Sequence, residues 1–258
     1  MTRAGSGLIA AAVCALSLAT ALPGPVRAAE KAALPDYGWS FEGPFGHYDR
    51  AALQRGLQVY REVCQACHSL RLVAFRNLEE LGYDEEEIKA IAADYSVTDG
   101  PNDEGEMYER AALPSDRFPP PFPNEKAAAA ANGGVAPPDL SLMAKARIGG
   151  PDYLRALLTG YEDPPADVEL VGGASYNRYF PGNQIAMPPP LFEDAVTYDD
   201  GTPASVDQMA SDVTHFLMWT AEPYLEERKE TGLKVLIFLV VFTGVLYAVK
   251  RKVWSDLH

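Results

Sequence analysis

Val63-Cys64-Gln65-Ala66-Cys67-His68-Ser69 is the stretch whose reading decides the rest. Two of the chain's three cysteines stand here, three positions apart, with a histidine directly after the second. Four chemistries use such a pattern: a zinc site, a thiol redox pair, a structural disulfide and covalent attachment of a c-type haem. Which one applies depends on where the protein resides and on what else the chain offers as a ligand.

The 258 residues are enough for one domain with a sizeable core, and 21 Pro with 21 Gly point to long loops. The N-terminus reads as an export signal. Arg3 gives a positive start, Leu8 to Leu22 is apolar, and Val26-Arg27-Ala28 fits a small-x-small cleavage rule. An apolar core of about 15 residues, followed by Pro23 and Pro25, suits a cleaved signal better than a membrane span. Cleavage is expected after Ala28, making residues 1–28 the signal. It removes Cys14 and leaves Cys64 and Cys67 in the mature chain, outside the cytoplasm.

A second apolar run, Leu233 to Val249, carries one charge, Lys234, near its edge. As a helix it covers roughly 25 Å, close to a bilayer core once Lys234 snorkels and flanking residues complete the span. Lys250-Arg251-Lys252 and Trp254 suit a membrane edge. The expected organisation is a periplasmic domain over residues 29–230, an anchor over 231–250 in contact with membrane lipid, and a cytoplasmic tail over 251–258. The protein is then a single-pass protein of the inner (cytoplasmic) membrane.

Within residues 29–232 there are 16 basic and 35 acidic residues, a balance of −19. Such a surface repels nucleic acid and attracts basic partners. Asp84 to Glu87 and Asp99 to Glu106 are the densest acidic clusters, each readable as a docking patch or as a solvated face.

Hydrophobic spacing places a helix over residues 49–63, with Leu53, Gly56, Leu57, Tyr60 and Val63 on one face, leading into Cys64. Further helices are expected over 79–93, 127–131 and 151–159, the last with Pro151 at a starting position. Residues 98–125 and 160–204 read as irregular, and the second is long and aromatic enough to be packed and functional. Ser205-Val206-Asp207-Gln208 is a capping box that opens a helix continuing by way of 221–232 into the apolar run. No strand pattern stands out, so the fold class is mainly α with long irregular loops and one C-terminal transmembrane helix.

A zinc site lacks a second cysteine pair and has only His47, His215 and carboxylates to complete it. A thioredoxin-like pair wants a βαβ context, and a disulfide across two residues leaves His68 unexplained. Covalent haem fits all three residues. Two thiols add to two vinyl groups while the adjacent imidazole reaches the iron from one helical turn. A sixth ligand, or an open iron, completes the site. Among Met107, Met143, Met187, Met209 and Met218, Met187 stands out because Pro188, Pro189 and Pro190 stiffen the loop that carries it. His47 and His215 are weaker alternatives.

The chain resembles the cytochrome c1 family. The resemblance is carried by "RGLQVYREVCQACHSL", "DGPNDEGEM", "ANGGVAPPDLSLMAKARIGGPDYLRALLTGY", "YFPGNQIAMPPPLFEDAVTYDDGTPAS" and the terminal anchor, in the family's order, from about Tyr37 to Trp254. It implies a c-type cytochrome fold and one covalent haem c per chain, with thioethers at Cys64 and Cys67 and axial ligands His68 and Met187. It also implies a pocket containing Asn132, Pro137, Pro138, Arg147, Tyr153 and Phe180. In it, Arg147 would pair with a propionate and a carbonyl near Pro137 would orient the His68 ring. Some bacterial relatives add a second cysteine pair that this chain lacks.

The implied function is that of the electron-transfer subunit of a dimeric quinol:cytochrome c oxidoreductase, the bc1 complex. It would take electrons from the Rieske iron–sulfur protein, pass them to a soluble cytochrome c and pack its anchor against cytochrome b, with no bond chemistry of its own. Two other readings stand beside it: a free-standing anchored shuttle, disfavoured by the absence of a flexible linker, and an enzyme or gas sensor with an open iron.

Overall fold

The computed structural model describes residues 32–255. The proposed signal and its cleavage site, and the last three residues of the tail, lie outside them. Two helices from opposite ends of the body form the centre. Helix α1, Arg50–Glu62, starts at Asp49, whose side chain accepts from the Ala51 and Ala52 amides. Its buried face is Ala52, Leu53, Gly56, Leu57, Val59 and Tyr60, as the helical spacing predicts.

Its partner is the later helix Val206–Ala221, α6 below, with Met209, Val213, Phe216 and Trp219 in the core. Gly56 lets the two backbones meet, since a Cβ there would stand 2.1 Å from the Asp212 carbonyl oxygen. Beside it Arg55 donates to Asp212 at 2.9 and 3.1 Å and to Asp200 at 2.9 Å, and Asp212 is only 1% exposed. Tyr60, Phe75, Phe118 and Phe216 fill the interior, with the Phe75 and Phe118 rings 4.4 Å apart.

Residues 79–93 do not form one helix. A 3-10 segment runs Phe75–Leu81, Gly82 turns the chain at φ 97°, and Asp84 starts helix α2, Glu85–Ala93. The break follows from a true capping box: Asp84 and Glu87 each accept the other's amide, both at 2.8 Å. Residues 98–125 are also more regular than the sequence suggests. Strands β1, Ser96–Asp99, and β2, Tyr108–Ala111, form an antiparallel hairpin with Ser96 opposite Ala111. Their alternation is too short and too polar to stand out in the sequence.

Helix α3, Glu125–Ala131, is followed by α4, Met143–Ala146, and α5, Gly150–Thr159. Both α4 and α5 pack on α6. The long segment 160–204 is ordered by strands β3, Ser175–Tyr176, and β4, Gln184–Ile185. At α6 only half of the expected capping box forms: Ser205 accepts from the Gln208 amide, while the Gln208 side chain turns to Asp212.

The body and the anchor are not one continuous helix. Glu222 to Tyr224, with Pro223, separate α6 from α7, Leu225–Val253. Helix α7 covers about 43 Å and is the one helix among the described residues long and apolar enough to cross a membrane. Its first turns are fastened to the body. Glu226 accepts from the Tyr48 amide at 2.6 Å and pairs with Arg50 at 2.7 Å. Lys229 donates to the Phe41 and Gly46 carbonyls at 2.6 and 3.1 Å. No slack linker lies between body and anchor.

Candidate functional site

Val63 ends α1, and Cys64–Ala66 tighten into a 3-10 turn because the Cys67 and His68 amides both donate to the Cys64 carbonyl, at 3.2 and 2.9 Å. Both cysteines are free thiols. Burial pushes the Cys64 thiol up to about 12, with Cys67 adding to the effect. The turn is fastened from two sides. Tyr60 donates to the His68 carbonyl at 3.2 Å, and Tyr95 to the Gln65 side chain at 2.7 Å.

The segment after α3 lies against this turn. His68 Nδ1 meets the Pro138 carbonyl oxygen at 2.8 Å. The carbonyl only accepts, so Nδ1 carries the proton and Nε2 keeps its lone pair. Burial lowers the His68 pKa, against the opposing effects of the Pro138 carbonyl and Asp139, which keeps the ring neutral. Leu140 donates to the Ser69 carbonyl at 2.9 Å. Asp139 collects the Ser69 hydroxyl at 2.8 Å, the Arg71 amide at 2.9 Å and the Ser141 amide at 3.0 Å. Burial alone would raise its pKa; the hydrogen bonds from Arg71, Ser141 and Ser69 outweigh it and bring the carboxyl below its usual range.

A third strand of the site starts at α4. Arg147 reaches the Met143 sulfur at 3.2 Å, is exposed, and has no carboxylate partner among the described residues. Tyr153, buried on α5, lies close enough to feel its charge. Tyr161, just past the end of α5, interacts with Tyr153, and burial raises its pKa, so its hydroxyl stays a donor. That hydroxyl donates to the Met187 carbonyl at 3.1 Å. Met187 and His68 are thus tied through residues 138–161 rather than by a direct hydrogen bond.

Of the residues singled out from the sequence, the structure brings His68 and Pro138 together, and places Arg147 beside Tyr153. The orienting carbonyl is that of Pro138, adjacent to Pro137. Pro137, Phe180 and Asn132 are half-buried; the Asn132 amide closes α3 on the Ala128 carbonyl at 2.7 Å. Arg147 is more open than an enclosed pocket residue. The rivals of Met187 have other surroundings. Met209 is fully buried in the core, Met143 takes the Arg147 contact, and Met107 is 60% exposed. His47 is exposed, and His215 bonds the Ser211 carbonyl among the rings of Trp39 and Phe41.

Three further residues escaped the sequence reading: Asp139, Tyr161 as a donor to Met187, and the buried Asn177. Their roles depend on partners 20 to 70 positions away, visible only in the fold. The single local signal is an asparagine set among aromatics in Ser175-Tyr176-Asn177-Arg178-Tyr179-Phe180.

No further His, Cys, Asp or Glu converges on the two thiols; the one cluster with metal-ligand spacing among the described residues is Asp36, Glu42 and Asp152, all acidic. A zinc site at Cys64 and Cys67 is therefore set aside. The donor set fits a haem instead: two free thiols, a neutral imidazole with Nε2 available, and an unpaired guanidinium suited to a carboxylate. With the fastened apolar helix α7, these features define the class of membrane-anchored c-type cytochromes. The model of the Cytochrome C1 family matches residues 39–257, and the chain belongs to that family. Its cofactor is haem c, and its members are haem-carrying electron-transfer subunits of the bc1 complex.

The cytochrome c1 of Rhodospirillum rubrum is 47% identical over 266 residues, covering 96% of this chain and 98% of that protein. "Cytochrome c1 1, heme protein, mitochondrial" of Arabidopsis thaliana is 52% identical over 225 residues, covering 86% of this chain and 73% of that protein. "Cytochrome b/c1" of Bradyrhizobium diazoefficiens is 53% identical over 246 residues; the matched part is 87% of this chain and 36% of that longer protein.

Proposed function

We propose that the chain holds haem c through thioethers at Cys64 and Cys67 and axial bonds to His68 Nε2 and Met187 Sδ. In this role it relays single electrons from the Rieske iron–sulfur protein to a soluble cytochrome c. The observation that carries the reading is the His68–Pro138 hydrogen bond at 2.8 Å, which fixes one tautomer and one ring plane and leaves Nε2 free as a ligand. When bound, haem c supplies a one-electron couple whose potential a methionine ligand raises.

The chain's own residues supply everything around it. Arg147 offers an unpaired cation to a propionate, and Tyr153, Phe180, Pro137, Pro138 and Asn132 would line the pocket around the haem. His68 and Met187 would together close the iron to other ligands, so this subunit would make and break no bonds of its own. That closure separates the reading from an open-iron enzyme or sensor. The fastened start of α7 separates it from a shuttle on a flexible tether. One relative's name joins cytochrome b to c1 in a longer chain, which supports cytochrome b as the partner of α7.

The acidic surface steers a basic cytochrome c. The structure changes the weight of the two acidic clusters. Asp84 and Glu87 are engaged in capping α2, whereas Asp103, Glu104 and Glu106 stand exposed in the β1–β2 hairpin loop with no side-chain partner among the described residues. The hairpin loop is the better docking patch. The topology that goes with this role has the signal cleaved after Ala28, the body in the periplasm, the anchor in the inner membrane and the tail in the cytoplasm. The assembly is dimeric and catalyses quinol:cytochrome c reduction.

The test is a mild-detergent pull-down of the tagged protein from its native membranes, assayed for quinol:cytochrome c reductase activity with and without a bc1-specific inhibitor. Co-purifying b-type haem, an iron–sulfur protein and inhibitor-sensitive activity are expected. A lone c-haem protein without that activity would overturn the assignment.

A further inference from the structure

Asn177 is an asparagine with no solvent exposure in a loop ten residues before Met187. Both polar atoms of its side chain are engaged. Nδ2 donates to the Leu157 carbonyl at 2.8 Å, and Oδ1 accepts from the Tyr179 and Phe180 amides at 3.0 and 3.2 Å. Its backbone is employed as well: the amide donates to the Asn183 carbonyl at 2.9 Å, and its carbonyl accepts from the Asn183 side chain at 3.2 Å. Only a carboxamide both donates and accepts in this way. A carboxylate would face the Leu157 carbonyl with no proton, and an apolar residue would strand two amides.

The turn 177–183 is thereby fixed to the C-terminal end of α5. The Arg178 amide donates to the Gly160 carbonyl at 2.9 Å, and Tyr161 pairs with Asn177 as an antiparallel bridge. Gly160 permits this approach, because a Cβ there would stand 2.5 Å from the Tyr179 ring. From the turn, Gln184 and Ile185 lead directly to Met187.

Beyond that point the chain has few handles. Pro188, Pro189 and Pro190 have no amide hydrogen. The Tyr161 hydroxyl to the Met187 carbonyl, at 3.1 Å, is the only hydrogen bond that residues 186–190 make among the described residues. Both fastenings therefore refer Met187 to the end of α5, the helix whose first turns carry Tyr153 beside Arg147.

We infer that Asn177 and Tyr161 are the positioning residues of the Met187 sulfur, holding it at the iron. The inference rests on Met187 being the axial ligand proposed above. Loss of one buried hydrogen bond shifts a local equilibrium by up to about tenfold, so each residue biases the loop between ligating and displaced positions by that order.

The experiment uses the full-length haem-loaded protein in detergent, with Tyr161→Phe, Asn177→Ala, Asn177→Asp and, as a control, Met187→Leu. The readouts, each taken per attached haem, are the near-infrared charge-transfer band of ferric methionine-ligated haem, the reduction potential, and carbon monoxide binding to the reduced protein. Met187→Leu is expected to lose the band and bind carbon monoxide. Tyr161→Phe keeps its ring in place and is expected to lower the potential and raise the carbon-monoxide-reactive fraction by about tenfold. Asn177→Ala is expected to do so more strongly, with Asn177→Asp between.

If Met187→Leu loses the band while Tyr161→Phe and Asn177→Asp match the wild type in all three readouts, the positioning role is wrong and the ligand stands. If Met187→Leu keeps the band, the ligand assignment itself fails. Should Asn177→Ala yield no folded protein, Tyr161→Phe decides.

Discussion

His68 and Pro138 are 70 positions apart, and a 2.8 Å bond from the imidazole Nδ1 to the proline carbonyl joins them. The bond links the turn that ends α1 to the loop that follows α3, and it leaves the other ring nitrogen with its lone pair. A histidine ligand oriented in this way needs its partner held still, and proline supplies a carbonyl on a backbone whose φ is fixed.

Asp139 secures the same junction. Replacing it with alanine strands the Ser69 hydroxyl and the Arg71 and Ser141 amides at once. The expected loss is about 2–3 kcal/mol of stability, read as a lower denaturant midpoint of the haem-loaded protein. An unchanged midpoint would show that the junction holds without it.

The same carboxylate gives a pH prediction. Its folded pKa lies below its ordinary value of 3.8, so its stabilisation is fully present above that value. It is lost as pH falls through the folded pKa, because the unfolded chain takes up the proton first. Wild-type stability should therefore drop more than that of Asp139→Asn as pH falls below about 3.8. Parallel pH profiles of the two proteins would contradict this.

Arg55 and Asp212 form an ion pair in which the carboxylate is 1% exposed. Arg55→Met leaves that charge buried and uncompensated, at an expected cost of about 3–5 kcal/mol. Adding Asp212→Leu should recover much of the loss, since the remaining groups are then both apolar. Additive losses in the double variant, measured by denaturation, would mean that the two residues act separately.

Gly56→Ala places a methyl group against the Asp212 backbone at the crossing of α1 and α6. Because backbone cannot yield as a side chain does, a loss of at least about 3 kcal/mol is expected, with reduced yield of haem-loaded protein. A wild-type thermal transition would show that the helices separate more easily than their packing suggests.

If the β1–β2 loop is the docking patch, neutralising Asp103, Glu104 and Glu106 together should slow association with a basic cytochrome c by about three- to tenfold at low salt. The difference should vanish as ionic strength rises. Stopped-flow association rates across a salt series would test it, and equal rates at low salt would move the docking site elsewhere.

The sequence alone carried the class. The Cys64-Cys67-His68 spacing, the face of α1, the stiff Met187 loop and the apolar run of α7 are local patterns, set by residues within one or two turns of one another. Short-range competition already blurred some of them. Gly82 and the Asp84 cap divided one expected helix in two, the polar β1–β2 hairpin gave no periodic signal, and Pro223 separated α6 from α7.

Tertiary structure alone decided which carbonyl faces His68, which hydroxyl faces Met187, and that Asn177 is buried. Each is a contact between segments far apart in the chain, chosen because a buried polar group must find a partner wherever the packing brings one. A single sequence states which groups require partners. Only the packed chain states which ones they meet.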